Sequence, residues 1–172
     1  MLHMKRRSLL ATLTGLMLGL VSVGRAAVPV RAGTDDEVPA QAGSGASAGR
    51  ADATLALLDR FAAAWNAHDV DTLMACMTDD GVFESAAGPT VAGTRSVGTA
   101  AVRKAYQAVF DTYPDARWNE PRHFVAGDRA VTEWRFTGTT REGQKVEVNG
   151  CDVFTLRGGR IALKNSYRKQ RA

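Results

Sequence analysis

The side chains in this sequence best placed to do chemistry are a few ionisable groups set among apolar ones. Along Gly150-Cys151-Asp152-Val153-Phe154-Thr155-Leu156 the residue types alternate. Gly150, Asp152, Phe154 and Leu156 therefore share one face of a strand, and Cys151, Val153 and Thr155 the other. An Asp that shares a face with Phe and Leu looks into the core. A carboxyl group in a dry pocket suits general acid or base work, because loss of water moves the proton affinity of such a group toward the working pH. The same position also suits a structural Asp paired with a buried base or hydroxyl, and residue type alone does not separate the two. His123 is a second candidate for proton transfer, although a lone His is more often an ordinary strand residue. Two cysteines, Cys76 and Cys151, are too few for a metal framework and fall in no paired spacing.

Three helical stretches precede the strand that carries Asp152. The first runs from Asp52 to His68, with Leu58, Phe61 and Trp65 recurring on one face. Asp69 caps a second, to Met77, and a third spans Gly98 to Tyr113 with Val102, Tyr106, Val109 and Phe110 on one face before Pro114 stops it. Thr78 to Gly81 reads as a turn and Val82 to Ser85 as a short strand. Gly88 to Gly93 reads as a loop or small hairpin. Long strands follow at Arg122 to Ala126, Ala130 to Thr140, Lys145 to Leu156 and Ile161 to Tyr167, parted by glycine turns. Helices first and a meander of strands after predict an α+β layer, with helices on one face of a curved, mainly antiparallel sheet.

Residues 1–26 have the three-part layout of an export signal: Lys5, Arg6 and Arg7, an apolar run from Leu9 to Val23, then Gly24 and Ala26. Arg6-Arg7 before Ser8-Leu9-Leu10, with Gly15 and Gly19 diluting the apolar run, fits twin-arginine export and a periplasmic or secreted protein. An ordinary signal with a basic end is the plainer reading. Residues 27–51, rich in Ala, Gly, Pro and Ser and without an aromatic, read as a flexible tether, so the domain is expected over 52–172. Removing the signal leaves 22 − 4 = 18 Lys plus Arg against 18 Asp plus Glu. A near-neutral domain argues against nucleic acid as a partner, and nothing beyond the signal suggests a membrane. An oxidising compartment would allow Cys76 to bridge Cys151, but one belongs to a helix and the other to a strand face turned away from it, so both are expected free.

Four phrases, in order and spacing, carry a family likeness: Phe61 to Asp69, Asp79-Asp80-Gly81-Val82-Phe83, Glu133 to Thr139, and Gly150 to Phe154 leading to Gly159-Arg160-Ile161. Together they resemble the SnoaL-like proteins of the nuclear transport factor 2-like superfamily, relatives of polyketide cyclases, ketosteroid isomerase and limonene-epoxide hydrolase. The resemblance spans about Asp52 to Arg168. It implies a cone-shaped fold around a pocket for a small apolar molecule, often paired as a homodimer through the convex sheet face, here Val131, Val153 and Leu163. It also implies work without metal or organic cofactor, on substrates with an acidic C–H. Trp65, Tyr106, Trp134, Phe136 and Phe154 would line the pocket with Lys164 and Ser166, around Asp152.

The same resemblance removes two mechanisms. Where the steroid isomerases have a Tyr and a base Asp, this sequence has Phe61 and Ser85, and only Asp152 matches their third group. The water-holding residues of the epoxide hydrolases correspond to Trp134, Phe136 and Ser166. A non-catalytic domain for ligand capture or dimerisation remains the alternative.

The last hairpin decides what faces Asp152. A two-residue turn at Gly158-Gly159 sets Asp152 opposite Asn165. A three-residue loop with Gly159 in a bulge sets it opposite Lys164, with Ser166 on the same inner face. The second is the reading adopted, because Ser166 then takes the place of the last pocket residue of the epoxide hydrolases.

Overall fold

The computed structural model describes residues 42–170, so the expected signal and the first part of the tether lie outside the described residues. Helix α1 (Ala42–Ala67) begins well before Asp52. The expected tether is thus helical from Ala42 onward. Its physical reason is the run of Ala42, Ala46, Ala48, Ala51 and Ala53 with no proline between Pro39 and the end of the helix, since alanine loses least on entering a helix. Gly45 to Arg50 remain exposed, and packing begins only with Leu58, Phe61, Ala64 and Trp65, all buried.

The end of α1 is shaped by its own side chains. His68 takes a left-handed backbone (φ 57°), while the His68 and Asp69 amides bond back to the Trp65 and Ala64 carbonyls. The His68 ring stacks on Phe110 at 4.3 Å between centroids, and its Nε2 lies 3.0 Å from the Ala116 carbonyl. Asn66 donates to the Trp118 carbonyl at 3.0 Å and accepts from the Trp118 amide at 2.8 Å, as a neighbouring strand would. Helix α2 (Val70–Ala75) follows under its Asp69 cap, and α3 (Thr99–Thr112) buries Val102, Tyr106 and Phe110.

Six strands form one sheet in the order β2-β1-β6-β5-β4-β3: β1 (Met77–Glu84), β2 (Arg95–Val97), β3 (Arg117–Ala126), β4 (Arg129–Thr139), β5 (Lys145–Arg157) and β6 (Arg160–Arg168). All neighbours are antiparallel except β1 and β6. The sheet curls around the helices, which gives the cone expected from the sequence. The anticipated turn at Thr78 to Gly81 lies within β1, where the register against β6 jumps between Met77 and Val82. Strand β3 starts at Arg117 rather than Arg122. A bulge at Glu120 (φ 54°) carries it past Pro121, which has no amide to give to a ladder. Strand β2 was not foreseen; its three residues pair with the end of β1.

The core lies between the sheet and the helices, around Leu58, Phe61, Trp65, Tyr106, Phe110, Phe154 and Ile161. Phe61 meets Trp65, Tyr106 and Phe154 edge to face at 5.9 to 6.3 Å. Among the described residues no helix is long and apolar enough to cross a membrane.

Two carboxylates close turns of this frame. Asp69 accepts from the Thr72 hydroxyl at 2.6 Å and its amide at 2.9 Å, and Asp115 from the Thr139 amide at 2.5 Å and its hydroxyl at 2.7 Å. These hydrogen bonds hold both carboxyls below their ordinary range, led by the Thr72 hydroxyl for Asp69 and the Thr139 amide for Asp115. With the folded value below the unfolded one, the stability they lend is complete above about pH 4 and is lost as pH falls through the lowered values. Thermal melts across that range should show Asp115→Asn losing less on acidification than the parent. An equal loss in both would deny the contribution.

Candidate functional site

One row of residues crosses four strands on the inner face: His123 of β3 faces Thr132 of β4, Thr132 faces Asp152 of β5, and Asp152 faces Ser166 of β6. The pairing of Asp152 with Ser166 differs from both hairpin readings of the sequence. Gly158 and Gly159 do form a two-residue turn, both left-handed (φ 57° and 73°), with Leu156 opposite Ile161. A bulge then leaves Ala162 unpaired, since Thr155 faces Leu163, and moves the register on. Expecting Lys164 opposite Asp152 was therefore wrong in register: Lys164 faces Phe154. It nonetheless shares the inner face, and its long side chain reaches the carboxylate.

Asp152 is 4% exposed and Lys164 3%. Lys164 Nζ donates to Asp152 Oδ1 at 2.7 Å and to Ser166 Oγ at 2.6 Å, while the Ser166 hydroxyl donates to the same Oδ1 at 2.6 Å. Trp134 Nε1 donates to Oδ2 at 3.0 Å. Three donors thus converge on one carboxylate, which suits the charged form and a proton acceptor or counter-ion better than a general acid. The Lys164 ammonium sits over the rings of Phe83 at 4.9 Å and Trp65 at 5.4 Å. Burial pushes the Lys164 amine below the ordinary lysine range, against the pull of Asp152 in the other direction.

Gly150 makes the Trp134 contact possible. It faces Trp134 across β4 and β5, and a side-chain carbon there would collide with the indole and with the Tyr167 carbonyl.

Among the described residues, two of the hollows lie on opposite sides of the sheet. The larger, about 530 Å³, is an open trough on the outer face with charged walls that include Arg122, Glu133, Arg135 and Lys169. The smaller, about 180 Å³, lies on the inner side between aromatic walls of Trp65, Phe83, Trp118, Trp134 and Phe136. Lys164 and Ser166 open onto it. The smaller is the candidate ligand site, because ionisable groups there meet aromatic walls.

Of the residues singled out in the sequence, Trp65, Trp134, Phe136, Lys164 and Ser166 line this cavity. Asp152 does not. It stands behind Lys164 and Ser166 and borders only a narrow crevice of about 10 Å³ shared with Phe154 and Thr132. Tyr106 is fully buried in the core with its hydroxyl on Met77 Sδ at 3.0 Å, and burial pushes its phenol well above the usual range. Its helix turns that ring inward against Phe61 and Trp65, away from the cavity. His123 is spent elsewhere: Nδ1 lies 2.8 Å from Thr132 Oγ1, and Nε2 lies 3.2 Å from Asp59 Oδ1 without hydrogen-bond alignment. Trp118 and Phe83 were missed. For Trp118 the alternation before Pro121 was the available signal, masked by the proline. Cys76 is buried and Cys151 half-buried on the other sheet face, both free. Among the described residues no cluster of His, Cys, Asp and Glu could hold a metal ion.

Compared with known proteins, the chain matches the family described as SnoaL-like domain over residues 58–164. No curated protein matches it. A solved structure of a proposed polyketide cyclase from Xanthomonas campestris pv. campestris aligns with a TM-score of 0.62 at 22% identity, over 69% of this chain and 91% of that one. An NTF2-like protein of unknown function from Mesorhizobium loti aligns with a TM-score of 0.59 at 29% identity, over 70% and 94%. A proposed isomerase from Bacillus subtilis aligns with a TM-score of 0.61 at 19% identity, over 70% and 88%.

Removing one partner of a buried ion pair leaves the other charge uncompensated, at about 3–5 kcal/mol, whereas replacing both with apolar residues is often near neutral. Denaturant unfolding should therefore find Lys164→Met and Asp152→Leu each strongly destabilising and the double variant well short of their sum. Additive losses would mean the two charges are not coupled.

Proposed function

This chain belongs to the SnoaL-like domain family, and from that premise we propose that it binds a small, largely apolar carbonyl compound in the 180 Å³ cavity and moves a proton on it without metal or organic cofactor. The observation that carries this reading is the buried Lys164–Asp152–Ser166 network, which presents an ammonium and a hydroxyl to an aromatic-walled space. When a C–H beside a carbonyl gives up its proton, negative charge grows on the carbonyl oxygen, and the Lys164 ammonium is placed to hold it. Asp152 accepts the proton by way of the Ser166 hydroxyl, which already donates to Oδ1. Neighbours described as a polyketide cyclase and an isomerase support chemistry of this kind. His123, bonded to Thr132 and facing Asp59, has no part in it.

A second reading, ligand capture without catalysis, is favoured by the three donors that already satisfy Asp152. The two separate on one experiment. A small aromatic 1,3-diketone is titrated by tryptophan fluorescence, and exchange of its acidic C–H for deuterium is followed by NMR. Proton transfer predicts binding with catalysed exchange, and Ser166→Ala should keep the binding while slowing exchange by about 10²-fold. Binding with no exchange above solvent favours capture.

The layout of residues 1–26 supports export to the periplasm or beyond. The outer sheet face supports a homodimer. Phe124, 56% exposed, lies in one cross-strand row with Val131 and Val153, and Leu163 stands on the same face. Light scattering should give a dimer for the parent and a monomer for Phe124→Glu with Val153→Glu; a parent that is monomeric at every concentration rejects the interface.

A further inference from the structure

Lysine is almost never fully buried, and the one on β6 is buried against a cavity rather than against packed core. Its amine has two hydrogen-bond partners, Asp152 and Ser166, and lies over the faces of Phe83 and Trp65. Trp65, a lining residue that is 4% exposed, carries a buried indole N–H with no partner among the described residues. Native structures seldom leave such a donor unmet. The cavity is smaller than the roughly 300 Å³ at which drug-sized pockets begin, so its occupant is a fragment of one or two rings at most.

We propose that Lys164 is a covalent capture site, forming an imine with aldehydes and unhindered ketones that enter the 180 Å³ cavity. The proposal rests on that cavity being a ligand site, as in the function above, and adds a bond to it. In the first step the Lys164 ammonium passes one proton to the Asp152 carboxylate. The freed amine adds to the carbonyl carbon, forming the C–N bond. One of its own protons moves to the former carbonyl oxygen, which gives a neutral carbinolamine. Asp152 then returns its proton, by way of the Ser166 hydroxyl that bridges it to the cavity, to the carbinolamine hydroxyl, the C–O bond breaks, and water leaves as the C=N bond forms. Ammonium and carbonyl become iminium and water, so no oxidant or reductant is needed. The amine and the carboxyl are neutral together in the middle steps and charged together at the start and the end, so neither group is left as an uncompensated buried charge. The other lysines among the described residues, Lys104, Lys145 and Lys169, are exposed; their hydrated ammonium groups lack both a dry site and a fixed base.

The test uses cinnamaldehyde near neutral pH with sodium cyanoborohydride to reduce any imine, followed by peptide mass mapping of the whole protein. The expected result is a single reduced adduct on Lys164, formed about tenfold or more faster than on Lys104, Lys145 or Lys169, in line with a larger share of free amine. Lys164→Arg should abolish it. Because that variant could fail to fold, the parent is also labelled in the presence of cinnamyl alcohol, which has the same shape and no carbonyl and should suppress the Lys164 adduct by competition. Adducts spread over the exposed lysines alone overturn the proposal. If cinnamyl alcohol and cinnamaldehyde quench tryptophan fluorescence alike and no Lys164 adduct forms, the covalent step is wrong while the binding site stands. If neither quenches and no adduct forms, both fall.

Discussion

A carboxylate and an ammonium sealed together in a dry interior set the terms for the rest of this molecule. Two such charges cannot be stripped of water unless nearly every lone pair and proton finds a partner, and here the partners come from three different strands: Trp134 from β4, Asp152 from β5, Lys164 and Ser166 from β6. The register between these strands therefore carries the site. The unpaired Ala162 lets a tight glycine turn coexist with a row that ends on Ser166, and the bare backbone of Gly150 lets an indole lie close enough to reach Oδ2. Neither residue touches a ligand, yet both decide what the cavity presents.

This arrangement divides labour between Asp152 and Lys164. The carboxylate is the anchor, and the groups that meet the cavity are those it holds. A ligand would touch the amine and the hydroxyl and feel the acid only through them. The cluster also shows how this chain, without the base positions of its better-known relatives, keeps an ionisable interior. Phe61 and Ser85 supply no acid or base, and the ionisable group that meets the cavity together with Ser166 is Lys164.

Much of this was legible in the residues alone. Strand alternation placed Asp152 on the inner face, and the helical spacing of Leu58, Phe61 and Trp65 gave the buried side of α1. Parity along β6 was enough to put Lys164 and Ser166 beside the acid even though the register assumed for the hairpin was wrong. What the sequence hid were local departures from regular geometry. A bulge at Ala162 has no composition of its own, and Pro121 read as the end of structure when it is a kink within β3. Tyr106 looked like a pocket residue because apolar spacing on a helix does not distinguish a ring that faces a cavity from one that faces another ring. Over residues 42–51 the tether gave way to helix for a related reason: glycines spoke for flexibility, and the alanines between them carried the helix.

The pairing of Asn66 with Trp118 has a consequence beyond geometry. Strand β3 is an edge of the sheet, and an open edge is a template on which a second chain can add a strand and begin to aggregate. Here the amide group of one helix residue occupies both the N–H and the C=O that Trp118 would offer, and Arg117 reaches back to the Asn66 carbonyl. A few residues on, Pro121 has no donor to offer and the bulge at Glu120 turns the edge out of line. The opposite edge, β2, is only three residues long. Asn66 thus closes the Trp118 position of the β3 edge from within the fold, and the short phrase at the end of the first helix reads as protection against strand addition along that edge.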